Sequence, residues 1–139
     1  MICSTHFIGQ TAGATVSSAS ANYKESDEVQ AARKILDKAM SEADLFESVR
    51  AHLDAFGWRW YHTYDSRRSN GGFPDIVATK PRGEGSRLLF IELKSEKGHL
   101  SPDQLVWQDA LIHSGATHMV WRPSDLSSGD VERTLRSPW

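Results

Sequence analysis

A chain of 139 residues is enough for one compact domain and short of two ordinary ones. With 24% charged and 39% hydrophobic residues and no apolar run long enough to span a bilayer, the composition points away from a membrane protein. The net charge of -2 gives no bulk sign of a nucleic-acid binder, and the single cysteine, Cys3, cannot form an internal disulfide and suits a reducing cytoplasm.

The opening "MICSTHFIGQTAGATVSSASAN" is rich in Ser, Ala, Thr and Gly and lacks the features of a secretory signal, so residues 1–23 are expected to be a disordered tail. Within residues 24–40, Val29, Ala32, Leu36 and Ala39 recur at helical spacing behind Ser26, which predicts a peripheral helix. Met40 directly precedes a stronger helix start, so it is a candidate native start, and the compact domain is expected over residues 41–126. In "SEADLFESVRAHLDAFG", Ser41 is the expected N-cap and Gly57 the stop, with Leu45, Phe46, Val49, Leu53 and Phe56 on one face. Glu42 falls at the centre of that apolar stripe. A first-turn carboxylate favoured by the helix dipole accounts for it as well as a functional role does.

"WRWYHTYD" alternates as a strand and "SRRSNGGF" follows as a loop. "DIVAT" and "LLFIELKS" are two more strands, separated by the turn-forming "KPRGEGSR". "SPDQLVWQDALIHSG" is a helix with Ser101 as N-cap, Pro102 at its first position and Gln104 completing a capping box. "ATHMVWRP" is a last strand, and residues 127–139 are a C-terminal extension with room for a short helix. The order predicts an α/β fold, a small mixed sheet flanked by helices.

The unusual feature is charge at the strand ends. In "LLFIELKS", Leu88, Phe90, Glu92 and Lys94 share one face and Leu89, Ile91 and Leu93 the other, so the strand is expected to be central and covered on both sides at its apolar start. Glu92 and Lys94 then stand where a buried face opens onto an edge or cleft, a position that calls for partners. A hairpin turning between Gly83 and Glu84 sets Asp75 opposite Glu92, although other turn lengths shift that register. Two facing carboxylates repel unless a cation or proton lies between them, and oxygen ligands suit Mg²⁺ or Mn²⁺. An ammonium such as Lys94 is able to orient a water beside such an ion. A solvent-facing Glu-Lys pair is the plain alternative. From Arg50 to Lys97 basic residues outnumber acidic ones, which an ordinary mixed surface also explains.

"FPD", a hairpin and "IELKS" resemble the PD-(D/E)xK nuclease superfamily, and "SRRSNGGFPDIV" with "ELKSEKGHLSPDQ" is similar to its VRR-NUC branch, from about Ser41 to Leu126. The resemblance implies a restriction-endonuclease-like αβββαβ core and the single-domain type often encoded by phages and prophages. It implies Asp75, Glu92, the carbonyl of Leu93 and Glu42 as metal ligands, and Lys94 as the catalytic lysine. Gln104 matches the glutamine of the helix that follows, and its capping role remains a serious alternative explanation. The implied activity is hydrolysis of DNA phosphodiester bonds with Mg²⁺ or Mn²⁺, selective for branched or Holliday-type junctions, in replication, recombination or repair, by a homodimer. Arg67, Arg68, Lys97 and His99 are candidates to hold the DNA backbone. Trp58, Trp60 and Tyr61 suit base stacking, but alternating aromatics are more often core. The competing readings are a flap, linear or restriction-like nuclease and a DNA-binding accessory module with a vestigial site.

Overall fold

Residues 25–63, 70–80 and 87–136 are those described by the computed structural model. Helix α1 (Asp27–Ala39) and helix α2 (Glu42–Ala55) precede strand β1 (Arg59–His62), and β2 (Ile76–Lys80) and β3 (Arg87–Leu93) follow. Helix α3 (Pro102–His113) carries the chain across to β4 (Thr117–Trp121), after which come α4 (Pro123–Ser127) and α5 (Asp130–Arg136). The sheet order is β1-β2-β3-β4, antiparallel except for the parallel β3/β4 pair, so the expected mixed α/β architecture is present.

The apolar stripe of α2 explains the main layer contact. Ser41 Oγ accepts from Asp44 N while Asp44 returns a bond to Ser41 N, a capping box that starts the helix and aims its stripe at the sheet. Leu45, Val49 and Leu53 pack there on Ile76, Ala78, Leu89, Ile91, Leu93 and Trp121. Residues 127–136, read from the sequence as an extension, supply Val131 and Leu135 to this same core, and Trp58 Nε1 donates to the Leu135 carbonyl at 3.1 Å. Each fully buried Leu or Val contributes roughly 1.5–3 kcal/mol.

Helix α1 packs in the reverse sense. Asp37 is buried and accepts from Ser127 Oγ at 3.0 Å, whereas Val29, Ile35 and Leu36 face water. The apolar spacing that predicts α1 therefore does not point inward, because its partner is the polar surface of α4.

The hairpin register is the one that sets Asp75 against Glu92. Ile76 lies opposite Ile91 and Lys80 opposite Arg87, so one further pair brings Asp75 to Glu92. The turn itself, residues 81–86, lies outside the described residues. Coverage of β3 runs opposite to expectation: Leu88 at the apolar start is exposed, and the charged end holding Glu92 and Leu93 is the buried one. Charge is tolerated there because polar groups from neighbouring elements meet it.

The loop into β2 is fixed against α3. Gly72 has φ +82, and an added Cβ would lie 2.4 Å from the Asp103 carbonyl carbon. Gly57, with φ +73, has nothing within 4 Å of that point. Gly57→Ala is therefore expected to cost only the left-handed strain, about 1 kcal/mol, and Gly72→Ala clearly more, on the order of 3 kcal/mol. Urea midpoints at unchanged slope measure the difference; equal losses would show that the close approach to α3 does not matter.

Candidate active site

Asp75 is tied to both neighbouring strands. Its backbone carbonyl accepts from Thr63 N at 3.2 Å, and its Oδ2 accepts from Leu93 N at 2.8 Å. Buried Pro74 precedes it and restricts the chain at its entry to the strand. Its side chain thus sits where β2 and β3 part, at the buried end of β3.

Glu92 is 1% exposed. Lys94 Nζ lies 2.9 Å from its Oε1, and Gln104 Nε2 donates to the same oxygen at 2.5 Å. Burial pushes the Glu92 carboxyl up to about 7; Lys94 opposes that shift, and Asp75 adds to it. The lysine therefore does not fully compensate the buried carboxylate.

Glu42, at the start of α2, is exposed, yet its Oε1 accepts from Ser95 N at 3.0 Å, just past the end of β3. Glu42, Ala43, Phe46, His62, Asp75 and Leu93 line a cavity of about 260 Å³. The structure therefore gathers Glu42, Asp75 and Leu93 at one cavity, while Glu92, Lys94 and Gln104 form a hydrogen-bonded group on the adjoining strand and helix. The cap and the contact to Glu92 coexist at Gln104: its Oε1 accepts from Ser101 N at 2.8 Å while its Nε2 serves Glu92.

Two participants escape a sequence reading. His62 lines the cavity, with its ring 4.2 Å from that of Phe46; the alternation of "WRWYHTYD" puts it on the inward side with Trp60 and is a signal for it. Arg122 Nη1 donates to the carbonyls of Ser95 and Gly98 at 2.8 and 2.7 Å, bracing the turn after Lys94. No local pattern marks that long-range bond. Lys97 and His99 are exposed on this turn, whereas Arg67 and Arg68 lie outside the described residues. Of the three aromatics, Trp58 is buried, Trp60 Nε1 donates to Asp54 at 2.8 Å, and Tyr61 faces outward.

The VRR-NUC domain family matches residues 18–124, most of the chain. The chain belongs to the VRR-NUC family. A solved structure described as a VRR_NUC domain is similar to it with a TM-score of 0.53 at 21% identity, covering 70% of this chain and 97% of that one. The shared fold is thus of the nuclease type. A comparison with curated proteins finds no match. Among the described residues, no helix of this VRR-NUC domain is long and apolar enough to cross a membrane.

The donor chemistry fits a hard divalent cation. Asp75, Glu92 and Glu42 offer carboxylate oxygens and Leu93 a carbonyl, and the incompletely compensated charge on Glu92 favours a cation nearby. Among the described residues no three His, Cys, Asp or Glu side chains form a compact metal cluster.

The burial of Glu92 has a consequence for stability. Its folded-state pKa, about 7, lies above the ordinary 4.5, so its stabilising contribution is full below pH 4.5 and lost as pH rises through 7. In chelator, urea unfolding is expected to show a loss of roughly 3 kcal/mol across that window, and Glu92→Gln to flatten it. Equal slopes for the two proteins would refute the burial argument.

Proposed function

We propose that this VRR-NUC domain is a metal-dependent endonuclease that hydrolyses DNA phosphodiester bonds at branched or Holliday-type junctions, in replication, recombination or repair. The observation that carries this reading is the grouping of Glu92, Lys94 and Gln104 beside the cavity of Glu42, Asp75 and Leu93. In this proposal Glu42, Asp75, Glu92 and the Leu93 carbonyl hold Mg²⁺ or Mn²⁺. When bound, the cation supplies Lewis-acid stabilisation of phosphate charge.

The remaining work belongs to the chain. Lys94, oriented by Glu92 at 2.9 Å, hydrogen-bonds the attacking water or a phosphate oxygen on which charge develops. Gln104 fixes the Glu92 carboxylate, and Asp75 is kept in place through Leu93 N. Water is the nucleophile, so no covalent enzyme intermediate forms. Exposed Lys97 and His99, with Arg67 and Arg68, hold the DNA backbone without reading its sequence. A homodimer supplies two sites related by a two-fold axis, which suits paired cuts in symmetric strands. The phage or prophage origin belongs to this proposal as well.

The test is cleavage of labelled four-way junction, flap and linear duplex with Mg²⁺, Mn²⁺ or EDTA. Wild type is expected to cut only with metal and to favour the junction. Lys94→Ala is expected to cut about 10²–10³-fold more slowly while still binding DNA. Preferential cutting of flaps or linear duplex reassigns the substrate, and binding by both proteins with cleavage by neither leaves an accessory module. Light scattering at assay concentration measures the dimer.

A further inference from the structure

On the outward side of the sheet, Tyr61, Thr63, Asn70, Phe73 and Trp107 line a second cavity of about 320 Å³. Three of these residues are aromatic and two are polar. The rings of Phe73 and Trp107 stand at 90° with centroids 4.9 Å apart, and Phe73 is also edge-on to Phe90 at 6.0 Å, so two of the walls are braced. Tyr61 is different: it lines the cavity and is 65% exposed.

Three of the five lining residues, Phe73, Trp107 and Thr63, are close along the chain or by hydrogen bond to residues of the candidate active site. Phe73 is two residues before Asp75. Trp107 lies one turn of α3 after Gln104, an axial rise of about 5 Å. Thr63 N donates to the Asp75 carbonyl at 3.2 Å. A DNA strand whose phosphate lies at Asp75 and Glu92 therefore has its neighbouring nucleotide beside this pocket.

We propose that the pocket of Tyr61, Phe73 and Trp107 is a nucleobase subsite that accepts one unpaired base next to the phosphate being cut. The inference rests on the nuclease reading and adds the feature of DNA that the site recognises. Aromatic faces stack on any base, and the Asn70 amide offers both a donor and an acceptor to a base edge, so shape is selected and sequence is not. A base inside an intact duplex is stacked on both sides and must be extruded at a cost before it can enter. A nucleotide in a flap is already unpaired, and a pair at a branch point opens at lower cost than one inside a continuous duplex. Preference for branched DNA then arises beside the catalytic residues without any base-specific code.

The test uses branched DNA carrying either a normal nucleotide or an abasic site at each position flanking the cut. Binding is measured in EDTA for wild type, Tyr61→Ala and Tyr61→Phe. Because Tyr61 is exposed, the alanine variant is expected to keep the wild-type urea midpoint. At one position, base removal is expected to weaken wild-type binding by about 5- to 150-fold, the range of one aromatic-base stack. Tyr61→Ala is expected to show a similar loss on intact DNA and little further loss on abasic DNA, and Tyr61→Phe to bind like wild type. A 2-aminopurine at that position is expected to lose its protein-dependent change in fluorescence with Tyr61→Ala.

DNA that is bound and cut equally well by wild type and Tyr61→Ala, or losses from the variant and the abasic site that simply multiply, would overturn the subsite and leave the nuclease reading standing. Failure of wild type to bind or cut any DNA would remove both. A changed oligomeric state in Tyr61→Ala, with base dependence intact, would assign the pocket to contact with a second copy and overturn the proposal.

Discussion

Glu92 lies at the end of the central strand almost out of contact with water, and an ionised carboxyl there costs several kcal/mol unless its neighbours compensate. Much of the surrounding structure supplies that compensation. The strand's own Lys94 reaches back to it and α3 starts where Gln104 can donate to it, while the β2/β3 register brings up Asp75, a second carboxylate that adds to the demand. The turn between Lys94 and α3 is braced by Arg122 and by the bond from Ser95 N to Glu42. Hydrophobic packing by α2 and α5 holds the layers together, but the polar end of β3 fixes how their ends must meet.

Local patterns made much of this legible from the sequence. Period-two alternation and two capping boxes place the strands, α2 and α3, and the turn signals in "KPRGEGSR" allow the register that faces Asp75 with Glu92 without fixing it. The apolar start of β3 misleads about which end is buried, since burial depends on what α3 and the preceding loop place over the strand. Arg122 was illegible for a similar reason: its acceptors are 24 and 27 residues away, and they are backbone carbonyls with no side-chain identity to detect. For α1 the periodicity located the helix and misdirected its face, because periodicity reports which residues share a side and carries no information about what that side meets.

The two cavities divide the labour of the sheet end. The one lined by Glu42, His62 and Asp75 is carboxylate-bearing and lies toward α2, whereas the one lined by Tyr61, Phe73 and Trp107 is aromatic and lies toward α3. Tyr61 and His62 are sequence neighbours that point to opposite sides of β1, so a four-residue strand serves both. Asp75 and Phe73 make the same division from the loop into β2.

Gln104 carries a further implication for which sequences this fold can accept. As a cap, position 104 is permissive: glutamate also accepts a hydrogen bond from the N-cap backbone. Here the other end of the side chain meets a buried carboxyl, so its two termini must be chemically unlike, one accepting from Ser101 N and one donating to Glu92. Glutamate would keep the helix start and turn a donor into a third anionic oxygen. Asparagine has the right two ends on a shorter stem. A position that helix rules leave open to exchange is thereby restricted to one amide of one length, and the orientation of that amide is settled by its partners.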